Sequence, residues 1–576
     1  MKKKHLLAFL LLAWVEGIAA LGILLGMRFE AGRGHLLNYT SIKFALAGSI
    51  GLVLVGLLLA ITLLIRNAKW GQRLSAYLDL QLVGPKKRLF FIQGALLVTM
   101  VFLFEFFLLT YLAFPVPLRP VFFWGGLICF QGWLVLRIAY AKDYRERPSL
   151  MMRLRARWNE WLPVQRKVFA ILAVLGLLYF LFFIPYNLFP DKSGKFYLLG
   201  DEQVIYPDVV KIFNPQTSFS ATVQNVMGTW GWWYGYPYLP VSASVLIVPR
   251  LIFGTQFADQ INLNVGLMRQ FVSVLPMVLA LMLAVYLVTH YKSVPASVSM
   301  FGFLMLVPGI VKINYQFWHP DSIILLLVLL TIYFLQKDEL RFGRYFYLAA
   351  FTCGLTTAIK LFGLFFVLAI AGYLLAGLLL KKQTLGRLAL SGLCFILIMA
   401  GTIVITSPSL LAPYITKVAL GSWLDQQQKI LVGPKAVDTA GLYDTNLPNW
   451  LKYFGFHYMK GYFFYFAYLS LAAGSIWGSR KYLSRILLAW CLAVSTFLVY
   501  FSAMKNFQYM LPAAVPLFIG AFLFPGIPEI SADSKWLAWL GKPSTRKIVL
   551  AITMTLYASQ LIINLVILYL FAIRGT

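Results

Sequence analysis

Apolar runs long enough to cross a bilayer recur along this chain from its first residues to its last. A helix needs about 20 such residues to traverse a hydrocarbon core roughly 30 Å thick, where every backbone amide must be bonded within the protein. Barrel strands are shorter and alternate apolar with polar. These runs do neither, so the sequence implies an all-α polytopic membrane protein. Composition agrees, since 60% of the 576 residues are hydrophobic and 12% are charged, against about 25% charged in a soluble domain. The net charge of +30 would turn a soluble chain towards nucleic acid. Here the bases gather in short connections between apolar runs, as lysine and arginine do on the cytoplasmic side of a membrane. Membrane lipids are therefore expected partners and nucleic acid is not. Cys129, Cys353, Cys394 and Cys491 all lie within apolar runs, spaced for neither a metal nor a disulfide framework, and read as small core residues.

The pattern gives about fifteen spans. The first follows Met1-Lys2-Lys3-Lys4 and runs to about Met27, long for a signal core, which places the amino terminus in the cytoplasm. Others fall near 43–65, 89–113, 120–140, 168–189, 267–290, 297–317, 322–336, 345–358, 361–380, 388–408, 461–478, 486–502, 507–524 and 548–571. The most basic connection, 141–167, carries Trp158 and Trp161 among its arginines and reads as a cytoplasmic helix lying on anionic headgroups. Two large loops, 190–266 and 409–460, fall outside. Within the first, 239–253 is apolar but short and flanked by proline, so it reads as a re-entrant or surface-lying helix. Residues 1–165 form an amino-terminal four-helix region, 166–410 a central module with the first outer loop, and 411–576 the second loop and four more helices.

Only 20 residues are acidic, so their positions are informative. Asp201 and Glu202 are adjacent in the first outer loop, soon after a span. Such a pair can supply a general base and a metal or hydrogen-bond partner, or can simply be solvated. Trp318-His319-Pro320-Asp321 lies at the outer end of one span, immediately before the next. Ionisable groups there are functional candidates, although Asp321 beside Pro320 also suits a helix start. Lys360 interrupts an apolar stretch at an outer hairpin tip, where an ammonium either snorkels to headgroups or holds a phosphate. Arg250 and Arg269 flank the end of the outer loop, and with Lys360 they would form an anion site. No Walker A, GxGxxG, HExxH or CxxC sequence occurs, so no nucleotide cofactor is expected. Any substrate must arrive activated, and on the outer face a lipid-linked phosphate sugar is the natural donor.

Taken in order between about 168 and 410, these features resemble the GT-C glycosyltransferases, especially the protein-O-mannosyltransferase-like and lipid A aminoarabinose transferase-like branch. The likeness is carried by Asp201-Glu202, by Leu251-Ile252-Phe253-Gly254 ending the short helix, by Arg269, by Asp321 at an outer helix start, by Ala358-Ile359-Lys360 and by Thr406-Ser407-Pro408-Ser409-Leu410. It implies a GT-C helical fold, Asp201 as catalytic base with Glu202 beside it, and Arg269 and Lys360 on the donor phosphate, with His319, Asp321 and Arg250 around it. A divalent metal, if used, would fall to Glu202 and His319. One departure is Tyr234-Gly235-Tyr236-Pro237, where the aminoarabinose branch has Glu-Lys-Pro. The implied activity is inverting transfer of a sugar from a polyprenyl-phosphate donor to a glycan, lipid or protein acceptor, outside the plasma (inner) membrane. Trp230, Trp232, Trp233, Trp423 and Trp450 in the outer loops suit sugar stacking or the interface. The rival is a transporter or lipid-carrier flippase, to which Glu16 and Glu105 within spans would belong.

Overall fold

The computed structural model describes residues 86–112, 118–139, 150–189, 200–227, 234–411, 447–523 and 543–574, with single-residue or two-residue breaks in some of these stretches, and the isolated residues 198, 421, 424, 425 and 428. The spans expected up to Met27 and over 43–65, together with Trp230, Trp232, Trp233 and Trp423, lie outside the described residues.

Among the described residues every regular element is helical. In chain order these are α1 Lys86–Leu109, α2 Arg119–Ala139, α3 Leu150–Glu160, α4 Pro163–Leu188, α5 Gly200–Lys211, α6 Phe219–Met227 and α7 Tyr238–Phe253. There follow α8 Ile261–Thr289, α9 Val294–Met305, α10 Pro308–Asn314, α11 Asp321–Asp338, α12 Arg344–Ile359, α13 Leu361–Leu379 and α14 Leu385–Thr406. The last five are α15 Leu447–His457, α16 Gly461–Trp477, α17 Lys481–Phe501, α18 Phe507–Leu523 and α19 Pro543–Arg574. Seven of them (α1, α4, α8, α13, α14, α17 and α19) are long and apolar enough to cross a membrane, and the pair α9 and α10 would make an eighth. The protein is thus a helical membrane protein.

The chain forms two compact units. One comprises residues 1–157, 211–230 and 408–418. In it Phe107, Leu109 and Tyr111 at the end of α1 pack with Val223 and Met227 of α6, and the Arg119 guanidinium lies 3.7 Å from the Tyr111 ring centre. The other comprises 158–210, 231–407 and 419–576, and helices from either side of residue 410 pack within it, α11 against both α17 and α18.

Two local departures from straight helices shape the second unit. The span expected over 297–317 is broken: α9 ends at Met305 and α10 starts at Pro308 after a 66° bend, because Pro308 lacks the amide that would continue the ladder. The span expected from 267 starts at Ile261, so Arg269 lies inside α8 rather than at its opening. Residues Arg269–Val274 there are a π-helical turn, a feature common where a helix turns side chains towards a site. Close packing holds α11, α12 and α14 together. Thr331 and Thr352 hydroxyls meet at 2.8 Å, and at Gly354 a Cβ would come within 2.7 Å of the Thr402 Cβ, the small-residue contact by which helices approach in lipid.

Candidate functional site

Gly200 opens α5, so Asp201 and Glu202 lie in its first turn and not in a loop. Successive helical residues point about 100° apart, and that rotation separates their fates. The Asp201 side chain is 37% exposed while Glu202 is fully buried. Both stand at the positive end of the helix, where carboxylates are favoured.

Glu202 is met by Arg269 from the π turn of α8. Arg269 Nε donates to Oε1 at 2.8 Å and Nη2 to Oε2 at 2.5 Å, a two-point pairing of planar groups that matches their geometry. Arg269 is itself 1% exposed. Oε1 also accepts the backbone N–H of Trp318 at 2.7 Å. The connection between α10 and α11 is therefore pinned, and it is pinned twice more: Gln316 N–H donates to Asn187 Oδ1 at 2.7 Å and His319 N–H to Ser273 Oγ at 3.1 Å. These bonds hold Gln316 at φ 53, a left-handed conformation that costs of order 1–3 kcal/mol for a non-glycine residue unless its surroundings fix it. Ser273 lies four residues after Arg269, so one helical face anchors both the carboxylate and the histidine backbone.

The imidazole of His319 is thereby presented at the centre of a chain of contacts. Its Nδ1 meets Asp321 Oδ2 and its Nε2 meets the Tyr234 hydroxyl, while Asp201 Oδ2 stands 3.6 Å from Nε2. Tyr234 donates its hydroxyl to Asp201 Oδ2 at 2.8 Å. Asp321, the first residue of α11, uses its carboxylate on His319 and on Lys360, whose Nζ donates to Oδ1 at 2.8 Å. The helix start expected at Pro320-Asp321 is present, but Pro320 is the cap residue and makes no side-chain bond. Phe317 stacks on the imidazole with ring centres 4.8 Å apart.

Tyr234 reaches this chain through its neighbour. Gly235 N–H donates to the Ile359 carbonyl at 2.8 Å, and a Cβ at 235 would fall 1.5 Å from the Ala358 carbonyl oxygen. Only glycine permits the backbone to lie this close to the end of α12, and the same contact sets Tyr234 beside Lys360, whose Nζ is 5.8 Å from its ring centre. Tyr509 covers the ammonium from another side at 4.4 Å.

The electrostatics follow from these neighbours. Burial raises the Asp201 carboxyl, but the hydrogen bond and charge of His319, the Tyr234 hydroxyl and the charge of Lys360 outweigh it and hold the group below its ordinary value. Asp201 is therefore ionised at neutral pH. Burial first, then the adjacent Asp201, push the Tyr234 phenol well above its ordinary value, so it stays a donor.

The structure thus joins six of the seven residues singled out from sequence: Asp201, Glu202, Arg269, His319, Asp321 and Lys360. Arg250 is apart from them, its guanidinium held by the Gly254 carbonyl and set 5.3 Å from the Phe257 ring centre. The roles shift within the six. Glu202, expected as a catalytic or metal-binding partner, has both oxygens committed to Arg269 and Trp318. Arg269, expected on a phosphate, spends its charge on Glu202, and Lys360 shares its charge with Asp321. A divalent metal does not fit the donor set offered for it, because both ring nitrogens of His319 are engaged as well. Among the described residues no three His, Cys, Asp or Glu side chains are grouped to hold an ion. Sequence reasoning missed Tyr234 and Ser273. Tyr234 stood in view only as a departure, in a Tyr-Gly-Tyr-Pro run before α7, and nothing local marks a partner 85 residues away. No family model matches the chain, and neither does any curated protein.

Proposed function

We propose that the protein is a membrane glycosyltransferase of the GT-C type, with about fifteen spans, a cytoplasmic amino terminus and its chemistry on the outer face of the plasma (inner) membrane. The donor is a sugar carried on polyprenyl phosphate, and the acceptor is a hydroxyl or similar group of a glycan, a lipid or a protein. The anomeric centre is inverted.

The observation that carries this reading is Asp201, an ionised carboxylate that is partly open while the groups behind it are buried. Its contacts with Tyr234 and His319 both run through Oδ2, so Oδ1 remains to take the proton of the acceptor. A base fixed before the substrate arrives loses no free energy to reorganisation during the reaction. Asp321 and Lys360 lock the far side of the imidazole, and the Glu202–Arg269 pair holds the backbone that presents it. The absence of nucleotide-binding motifs from the sequence favours a donor activated elsewhere.

The test uses purified protein in nanodiscs, a polyprenyl-phosphate sugar and no other enzyme. Asp201→Asn should leave thermal stability near that of the unaltered protein and lower transfer at least ~10²-fold, the lower range for losing acid–base catalysis. Near-normal transfer by this variant would remove Asp201 from the mechanism. Transfer from a nucleotide sugar without polyprenyl phosphate would overturn the donor. One feature favours a second reading: the 66° break between α9 and α10 is of a kind that transporters use near substrate. Movement of a lipid-linked glycan across sealed vesicles with no glycosidic product would select that reading.

A further inference from the structure

The cluster around Asp201 does not provide the charge that a phosphate leaving group demands. Asp201, Glu202 and Asp321 are three carboxylates, and the basic groups Arg269, Lys360 and His319 are all paired among them, so none is left over for a phosphate. Lys360 has a second disadvantage. In an inverting displacement the base and the leaving group act on opposite faces of the sugar ring. Lys360 belongs to the same bonded chain as Asp201, so it stands on the base's side. The cation that takes the developing phosphate charge must stand beyond the sugar.

Lys312 meets that requirement. It lies in the last turn of α10, half-buried, and among the described residues it takes part in no ion pair. Its ammonium lies 4.9 Å from the Phe507 ring centre and 5.9 Å from that of Phe571. Phe507 in turn lies 6.0 Å from Phe317, the ring stacked on His319. Two aromatic rings therefore separate the ammonium from the Asp201 chain, and such rings are surfaces on which a sugar packs. His457, at the end of α15, stacks on Phe507 at 5.3 Å. It is 3% exposed, and its Nδ1 is buried without a hydrogen-bond partner, an arrangement that costs free energy unless a ligand completes it. Burial, and then the charge of Lys312, push the imidazole down to about 3. It is therefore neutral and offers a hydrogen bond without competing for charge. Phe456, 42% exposed, packs on both His457 and Phe571 and gives the site an apolar lip.

We propose that Lys312 and His457, between Phe507 and Phe571, form the site that receives the phosphate of a polyprenyl-phosphate donor, with its isoprenoid chain leaving past Phe456 and Phe571. This rests on the donor reading above and moves the phosphate from Arg269 and Lys360 to residues linked to that cluster through Phe317 and Phe507. The shared chemistry is a phosphate monoanion or dianion. A lipid source is favoured by the aromatic surround, because free phosphate gains nothing from apolar walls.

The experiment measures binding, not transfer. Full-length protein in phosphatidylcholine nanodiscs is titrated with decaprenyl phosphate, with inorganic phosphate as a separate arm. Lys312→Gln should weaken decaprenyl phosphate binding about tenfold or more, as expected for loss of one charge-assisted contact. Lys312→Arg should restore most of it, His457→Leu should weaken it less, and Lys360→Gln should leave it within about threefold. The opposite pattern, in which Lys312→Gln binds normally and Lys360→Gln does not, would overturn the proposal while leaving the donor reading intact. No decaprenyl phosphate binding by the unaltered protein would instead refute the donor reading and this site with it. Inorganic phosphate binding more tightly than the lipid would overturn the lipid assignment. Should Lys312→Gln fail to fold, Lys312→Met and His457→Leu carry the same comparison against Lys360→Gln.

Discussion

Glu202→Gln tests whether the Glu202–Arg269 pair is a strut and not part of the chemistry. The substitution keeps the shape and one acceptor oxygen but removes the charge, leaving a guanidinium that is 1% exposed without its counter-ion. Breaking a buried pair in this way costs about 3–5 kcal/mol, most of it the price of one uncompensated charge. The Trp318 N–H bond of 2.7 Å to Oε1 adds about 1 kcal/mol if the new amide turns its NH₂ towards it. Domains of 150–250 residues lose roughly 2–4 °C of melting temperature per kcal/mol. A longer chain responds less per kcal/mol, so a fall of about 5–10 °C is expected. The buried thiols supply the assay, since Cys353 and Cys491 are 1% and 0% exposed and react with a thiol-specific fluorophore only as the helices separate. Removing both charges with Glu202→Leu and Arg269→Met should be milder than Glu202→Gln alone, because neither residue is then left charged and unpaired. A melting temperature for Glu202→Gln within about 1 °C of the unaltered protein would refute the strut, as would a double variant worse than the sum of the single ones.

Gly235→Ala tests the docking that sets Tyr234. Its Cβ would fall 1.5 Å from the Ala358 carbonyl oxygen, so the segment must retreat by more than an ångström, and displacements of that size cost about 10² in rate when they misplace a positioned group. Transfer should fall to that extent with thiol-monitored stability lowered only slightly, and activity within about threefold of normal would show that Tyr234 is not needed where it lies. The pH profile tests the ionisation of Asp201. The group is held below its ordinary value by His319, Tyr234 and Lys360, so the base form prevails throughout the neutral range and is lost only as pH falls below the ordinary carboxylate value. Transfer should accordingly show no Asp201 limb between pH 5 and 8, roughly the range in which unperturbed carboxylates stay ionised. An acid limb near pH 6 that disappears in Asp201→Asn would contradict the geometry.

Much of this was legible along the chain because membranes constrain sequence so strongly. Apolar length indicated most of the long helices: α1, α2, α4, α11 to α14 and α16 to α19 fall on expected spans within about five residues and α7 on the short helix before Phe253, whereas α5, α6 and α15 lie in segments read as outer loops and the span over 297–317 is broken into α9 and α10. The scarcity of charge did the same for the site. Where an ionisable group is expensive, its presence is already a statement, and Asp201, Glu202, Arg269, His319, Asp321 and Lys360 were all found in that way. What spacing along the chain cannot carry is who meets whom. Glu202 and Arg269 are 67 residues apart, Asp321 and Lys360 39, Tyr234 and His319 85. The packing of α5 against the π turn of α8, and of the α10–α11 connection against both, turned Arg269 from an expected phosphate ligand into the partner of Glu202. Adjacent carboxylates looked equivalent in sequence, yet one helical step of rotation buried Glu202 and left Asp201 open. Tyr234 and Lys312 carried no local signal, because a tyrosine in an aromatic loop and a lysine near a helix end are ordinary residues until the fold sets one against Asp201 and encloses the other between phenylalanines. The sequence by itself determined the class of the molecule and the inventory of its charges; the tertiary structure alone decided how those charges cancel, since a charge buried in a medium of low dielectric takes its role from the group nearest to it in space.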